Sequence, residues 1–230
     1  MRSKSRLLAA LLVLIGSAEL HAAEKHHEDP TKIVTKAGLA YNEELKFSGS
    51  IGLDDARMIN ARINADGDEW RLGGSWLIPL GIVNFNFSRS EYDNDAYKNN
   101  YSIGTFVPLS YFGFEPYGWQ LFPMAGYSYN DGEVAYFDDS SVENDYVLMP
   151  TSTHGGYLGA FGLKPINEQW SLLAFGGGSM GSDDYSGYWA GIGASYTISD
   201  SQSFNLFSIF AEDDFGENNS VGVSYTYEFN

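Results

Sequence analysis

Near its C-terminus the chain alternates without a break from Val221 to Phe229. Val221, Val223, Tyr225, Tyr227 and Phe229 fall on one face, and Gly222, Ser224, Thr226 and Glu228 on the other. Successive side chains of an extended chain point to opposite faces, so this segment is a strand with one apolar and one polar side. Aromatics crowd its last positions, which suits a barrel whose final strand closes against its first. The constraint is severe: whatever precedes this strand must be arranged to give it two unlike surroundings.

The segment resembles the C-terminal signature of bacterial outer-membrane β-barrel proteins, apolar residues at alternate positions ending on an aromatic. Tyr225, Tyr227 and Phe229 carry the match, and Asn230 follows where the family stops on the aromatic. The resemblance implies an all-β fold, an antiparallel transmembrane β-barrel located in the bacterial outer membrane. Its final strand would be recognised by the barrel-assembly machinery, and its neighbours would be membrane lipid and lipopolysaccharide. A monomer is expected.

The other end of the chain agrees with export. Arg2, Lys4 and Arg6 precede an apolar run from Leu7 to Ile15, and small residues lead to Ala22 and Ala23. That is the pattern of a signal peptide over residues 1–23, since the run is too short to cross a bilayer as a helix. The chain has no cysteine. An exported protein without disulfides must be held by other means, and a closed barrel is held by its hydrogen-bonded ladders. A mean hydropathy of -0.24 fits membrane-crossing strands, whose apolar residues occupy only alternate positions. Aromatic residues make up 16% of the chain, as belts at two water interfaces require. The formal charge of -17 makes nucleic acid an unsuitable partner, because phosphate binding needs clustered Lys and Arg.

After a polar lead-in over residues 24–31, a single domain is expected over 32–230. Strands are predicted at 32–40, 44–53, 56–65, 70–78, 82–90 and 101–109, then at 119–129, 146–163, 170–180, 188–198, 204–211 and 221–229. About twelve strands satisfy the even count of a single-chain barrel with both ends on one side; ten is the alternative count. Trp70, Leu72, Gly74, Trp76 and Ile78 oppose Arg71, Gly73 and Ser75, and Val83, Phe85 and Phe87 oppose Asn84, Asn86 and Ser88. In 188–198 only Trp189 breaks the alternation, and 170–180 is apolar on both faces. A secreted β-sandwich that binds carbohydrate through exposed aromatics would also alternate, and stands as one rival reading.

Counting back from a last strand that descends to the periplasm sorts the connections. One set is mostly short, among them Asp54-Asp55 and Pro79-Leu80-Gly81, although 110–118 is long for it. The other, extracellular, is longer and acidic. It carries Asp66, Asp68, Glu91, Asp93, Asp138, Asp139, Asp213 and Asp214 among most of the chain's carboxylates. Such a rim concentrates cations at the mouth, and its oxygens suit loosely bound calcium or magnesium beside lipopolysaccharide phosphates. Plain solvation of the loops is the competing explanation. Of the cations, Lys46, Arg62 and Arg71 lie on polar strand faces and are expected to line the lumen. There they would form a basic strip opposite acidic groups such as Glu228.

Catalytic chemistry has thin support. Gly176 to Gly181 satisfies a nucleotide-binding spacing, but no helix follows to complete that motif. His154 and Ser152 share one face of a strand, which the alternation with Tyr157, Phe161 and Leu163 assigns to the lumen. They are the only candidate catalytic pair, with no third member visible. His26 and His27 beside Glu24, Glu28 and Asp29 offer metal-ligating types without a supporting second shell, so no metal or other cofactor is expected. The reading from sequence is a small porin-like channel or structural barrel, with a lipid-modifying hydrolase using His154 as the other rival.

Overall fold

The computed structural model describes residues 25–92, 96–137, 146–217 and 219–229. The expected signal peptide and Asp93, Asp138 and Asp139 lie outside the described residues. Among the described residues thirteen strands occur: β1 (Thr35–Asn42), β2 (Glu44–Gly52), β3 (Arg57–Asn64), β4 (Glu69–Ile78), β5 (Gly81–Glu91), β6 (Tyr97–Phe106) and β7 (Gln120–Phe137). They continue with β8 (Tyr146–Pro165), β9 (Trp170–Gly181), β10 (Ser186–Ser199), β11 (Gln202–Asp213), β12 (Gly216–Glu217) and β13 (Ser220–Phe229). From β1 to β11 each strand pairs antiparallel with its neighbours in sequence, and β12 is a two-residue arm turned back on β11. The final strand β13 pairs with β11 on one side and with β1 on the other, Phe229 lying opposite Thr35. Twelve strands thus close into one antiparallel barrel. Because the single sheet closes on itself, there is no second sheet to stack on it, and the sandwich reading is overturned.

All twelve expected barrel strands are present, with boundaries shifted where tertiary contacts decide them. β7 and β8 run past the barrel as a paired ribbon up to Phe137 and Tyr146, because ladder hydrogen bonds do not depend on side-chain polarity. Pro150 does not interrupt β8. It lies opposite Glu133 on β7, while β9 pairs with β8 only from Gly155 onward. Pro150 therefore sits on a free edge, where its missing N–H is tolerated. The first strand starts at Thr35 rather than at 32, because the preceding residues leave the wall and turn inward.

The barrel is apolar outside. Leu72, Trp76, Phe85, Ile192 and Val221 are all exposed on the outer face, a continuous apolar surface that water would not tolerate and lipid would. Aromatics concentrate at its two edges. Toward the outer end Trp70, Phe87, Tyr101 and Tyr129 form a cross-strand row with centroid separations of 4.8, 4.6 and 6.1 Å. At the opposite end, where β1 starts and β13 finishes, Trp170 meets Tyr196 and Tyr227 meets Phe229, both at 4.9 Å. Such girdles place ring edges at the two water interfaces. The long connection after β6 contains two 3-10 turns, Leu109–Phe112 and Pro116–Gly118.

Candidate functional site: a two-walled chamber in the lumen

Twelve strands enclose more space than their own inward side chains fill by default. Here that space forms a chamber of about 830 Å3. On one side its wall is polar and basic. Lys46 on β2, Arg62 on β3 and Arg71 on β4 line it with Ser48, Ser88 and Ser90. Their acidic partner is Glu69, at the start of β4. Its Oε1 accepts Arg62 Nη2 at 2.7 Å, and its Oε2 binds Lys46. Arg71 is within electrostatic range of both Arg62 and Glu69 but has no ion pair or hydrogen bond among the described residues. Glu228, expected to face this strip, lies elsewhere, because it sits on the inward face at the last turn of the barrel wall, where β13 ends opposite the start of β1.

The opposite wall is aromatic. Tyr157 on β8, Phe175 on β9, Trp189 on β10 and Phe207 on β11 all line the chamber. Glycines on strands one or two places away make the room. A Cβ at Gly177 would lie 2.4 Å from the Trp189 indole, one at Gly191 2.3 Å from Phe175, and one at Gly104 1.8 Å from the Tyr157 hydroxyl. This explains why residues 170–180 read as apolar on both faces: Leu172 and Ala174 face outward while Leu173 and Phe175 face inward. Trp189, the exception to its strand's alternation, is a lumen residue.

The same packing corrects the orientation of His154 and Ser152. In β8 the odd-numbered residues point inward: Thr153 bonds Asn130, Tyr157 lines the chamber, and Leu163 is 0% exposed. Leu158, of the other parity, is 70% exposed. His154 and Ser152 therefore lie on the outer wall, His154 beside the outward ring of Tyr127 at 6.3 Å. The alternation misled because it equates apolar with lipid-facing, which fails where the lumen itself is packed. Asp131 on β7 is directly across from Ser152, but no hydrogen bond joins Ser152, His154 and Asp131.

Below the chamber the barrel is filled. Ile82, Phe122 and Leu163 form an apolar floor at 0%, 1% and 0% exposure, with Phe122 against Phe161 at 5.9 Å. The lead-in, expected as a plain polar segment, completes this floor from inside. His26 Nε2 is 2.8 Å from Ser171 Oγ on β9, and Glu28 Oε1 accepts Asn205 Nδ2 on β11 at 3.0 Å. Lys32 Nζ donates to Glu228 Oε2 on β13 at 2.7 Å, and His27 Nδ1 lies 3.1 Å from Glu228 Oε1. Thr31 is fully buried, held by Asp29 Oδ1 at 2.7 Å. His26 and His27 are thus spent on barrel contacts. Sequence reasoning missed this insertion; its one visible signal was Glu228, a carboxylate on the inward face of the last strand that needed a cation. In the long connection after β6, burial and, less strongly, the Asp29 carboxylate raise the Tyr111 phenol above its ordinary pKa, which puts that connection within electrostatic range of the lead-in.

Burial lowers the His26 imidazole below its ordinary value, outweighing the opposite pull of Glu28. A depressed pKa means that the inserted segment binds fewer protons than the released one. Insertion is therefore fully favoured above about pH 6.5 and is lost as pH falls through the lower, inserted value. Conductance across reconstituted bilayers should rise on acidification, and His26→Gln should flatten that rise. An identical pH profile in the variant would remove His26 from the process.

At the outer mouth Lys98 on β6 forms an ion pair with Asp213 on β11, spanning the opening rather than joining neighbouring strands. Tyr185 donates to the same carboxylate at 3.2 Å, and Lys98 lies 5.1 Å from the Phe215 ring. Asp213, read as part of an acidic rim, is neutralised in this bridge. Asp68 is bound by Asn64, and Glu91 is paired with Arg89 at 2.9 Å. Asp66 and Asp214 remain exposed.

No protein-family model matches the chain, and no curated protein matches it in sequence. Solved structures do match. The translocator domain of the autotransporter NalP from Neisseria meningitidis superposes with a TM-score of 0.56 at 14% identity, covering 97% of this chain and 94% of that one. The NanC porin superposes with a TM-score of 0.50 at 8% identity, over 85% and 99% of the two chains. The chain has the outer-membrane β-barrel fold. At such identities the likeness extends to the fold and not to a specific family within it.

Proposed function

We propose that this protein is a small porin-like channel of the bacterial outer membrane, exported through the signal peptide at 1–23 and inserted by the barrel-assembly machinery through Tyr225, Tyr227 and Phe229. One observation carries the reading: above its filled floor the lumen contains a chamber of about 830 Å3 whose wall includes Arg71, a cation with no ion pair among the described residues. Water and small polar solutes enter from outside past the Lys98–Asp213 bridge, and the inserted lead-in closes the periplasmic end. The NanC neighbour, a porin by name, agrees with this reading. Exposed carboxylates of the outer rim, Asp66 and Asp214 among them, attract cations and hold calcium or magnesium loosely beside lipopolysaccharide.

The test is ion selectivity. Three cations against Glu69 leave the chamber positive, so the channel should favour anions, and the double substitution of Arg62 and Arg71 by Ala should shift the reversal potential in a salt gradient toward cation selectivity. Unchanged conductance and selectivity in that variant would remove the reading. A second reading, lipid hydrolysis, is favoured by the outward placement of Ser152 and His154, which would put them against lipid. Phospholipid cleavage by the purified barrel, abolished by His154→Ala with the barrel still folded, would carry it instead.

A further inference from the structure

The chamber's two walls differ in chemistry, and together they specify a ligand. On the basic wall, Glu69 is shared by Lys46 and Arg62. Among the described residues, one carboxylate between two cations leaves no acceptor for Arg71, whose guanidinium is exposed to the chamber near the start of β4. A guanidinium offers five donors in a planar fork that matches a carboxylate at two points, and donors held inside a barrel without an acceptor favour any anion that can enter.

Facing it across the lumen are rings fixed in place. Trp189 lies 6.1 Å from Tyr157 at an interplanar angle of 73°, and backbone at Gly177 comes so close to the indole that no side chain fits there. β4 and β10 stand on opposite sides of the closed sheet, so the free cation and the indole address one occupant from two directions. Fixed aromatic faces take flat apolar surfaces, the C–H face of a sugar ring or an arene. A volume near 830 Å3 falls within the usual range of about 300–1,000 Å3 for small-molecule sites.

We propose that the chamber binds a carboxylate attached to a ring with a flat apolar face, the carboxylate on Arg71 and the ring against Trp189. The proposal rests on the porin reading for entry of the ligand, and it adds a specific site to what would otherwise be a charged conduit. Uronic acids and aromatic carboxylates share this chemistry.

Binding is measured on the detergent-solubilised, folded barrel by calorimetry and by tryptophan fluorescence, with glucuronate, benzoate, glucose, benzyl alcohol and chloride as probes. Glucuronate or benzoate should bind saturably, whichever source of the ring is preferred, and glucose, benzyl alcohol and chloride should bind at least about tenfold more weakly, the cost of losing either half of the recognition. Arg71→Gln should weaken the acid by about tenfold or more, and Trp189→Phe should remove the fluorescence response. Equal affinity for the acid and its neutral counterpart, or an Arg71→Gln variant that is folded by gel mobility and binds as well as wild type, would overturn the proposal. Conductance separates the two claims: a barrel that conducts but binds neither acid refutes the site and keeps the channel. One that binds but never conducts keeps the site and refutes the channel.

Discussion

Glu228→Ala should open the barrel, giving a large rise in conductance across planar bilayers. The Glu228 carboxylate is 5% exposed and takes Lys32 at 2.7 Å, with His27 at 3.1 Å. These contacts bind the lead-in to the last strand. Removing one member of a buried pair strands the other, at a cost of about 3–5 kcal/mol. Lys32 escapes that cost by leaving the lumen, so the penalty falls on insertion and not on the barrel. At about 1.4 kcal/mol per tenfold, the released population rises by roughly a hundredfold or more. Deleting residues 25–32 should give the same open state without a residual closed fraction, and both variants should keep heat-modifiable gel mobility. If the deletion conducts no better than wild type, the lead-in does not close the channel.

The second large effect concerns the aromatic wall. Gly104→Ala should destabilise the barrel by about 1–3 kcal/mol, as overpacking a filled interior does. The added Cβ would fall 1.8 Å from the Tyr157 hydroxyl oxygen and 3.1 Å from the Ala125 carbonyl oxygen. Tyr157 cannot swing away freely, because Gly126 is filled by the same ring, a Cβ there meeting it at 2.3 Å. Tyr157→Ala should therefore rescue Gly104→Ala in a double-mutant cycle read by urea unfolding in detergent. A coupling energy of about 1 kcal/mol or more is expected from a direct clash. Additive effects of the two substitutions would show that the ring does not occupy this space.

Much of the barrel was legible because its outer face obeys one rule. Val221 through Phe229, Trp70 through Ile78 and Val83 through Phe87 put apolar groups on the outer side and small or polar ones inside, and period two is visible to the eye. The basic strip was legible for the same reason: Lys46, Arg62 and Arg71 sit at positions of inward parity in strands with clean alternation. In β8 and β9 the rule fails. Tyr157, Phe175 and Leu163 are apolar and point inward, and the pattern of their strands carries no mark to distinguish lipid from lumen. His154 and Ser152 were misplaced by that ambiguity, and a different face means different chemistry for the same two residues.

By itself the sequence determined an all-β barrel and narrowed its strand count to twelve or ten, since alternation and turn composition are local properties of the chain; closure of the sheet decided for twelve. Only the tertiary structure decided what fills the barrel. The room for Trp189 and Tyr157 is created by glycines, Gly177 opposite Trp189 and Gly126 opposite Tyr157 on the neighbouring strands, with Gly104 one strand further on. The floor depends on contacts between residues almost two hundred positions apart, Lys32 with Glu228 and Glu28 with Asn205. Closing the sheet brings the first residues of the domain beside the last, and with them the Lys32–Glu228 ion pair inside the lumen. No period in the chain encodes that meeting, because it exists only once the first strand has found the last.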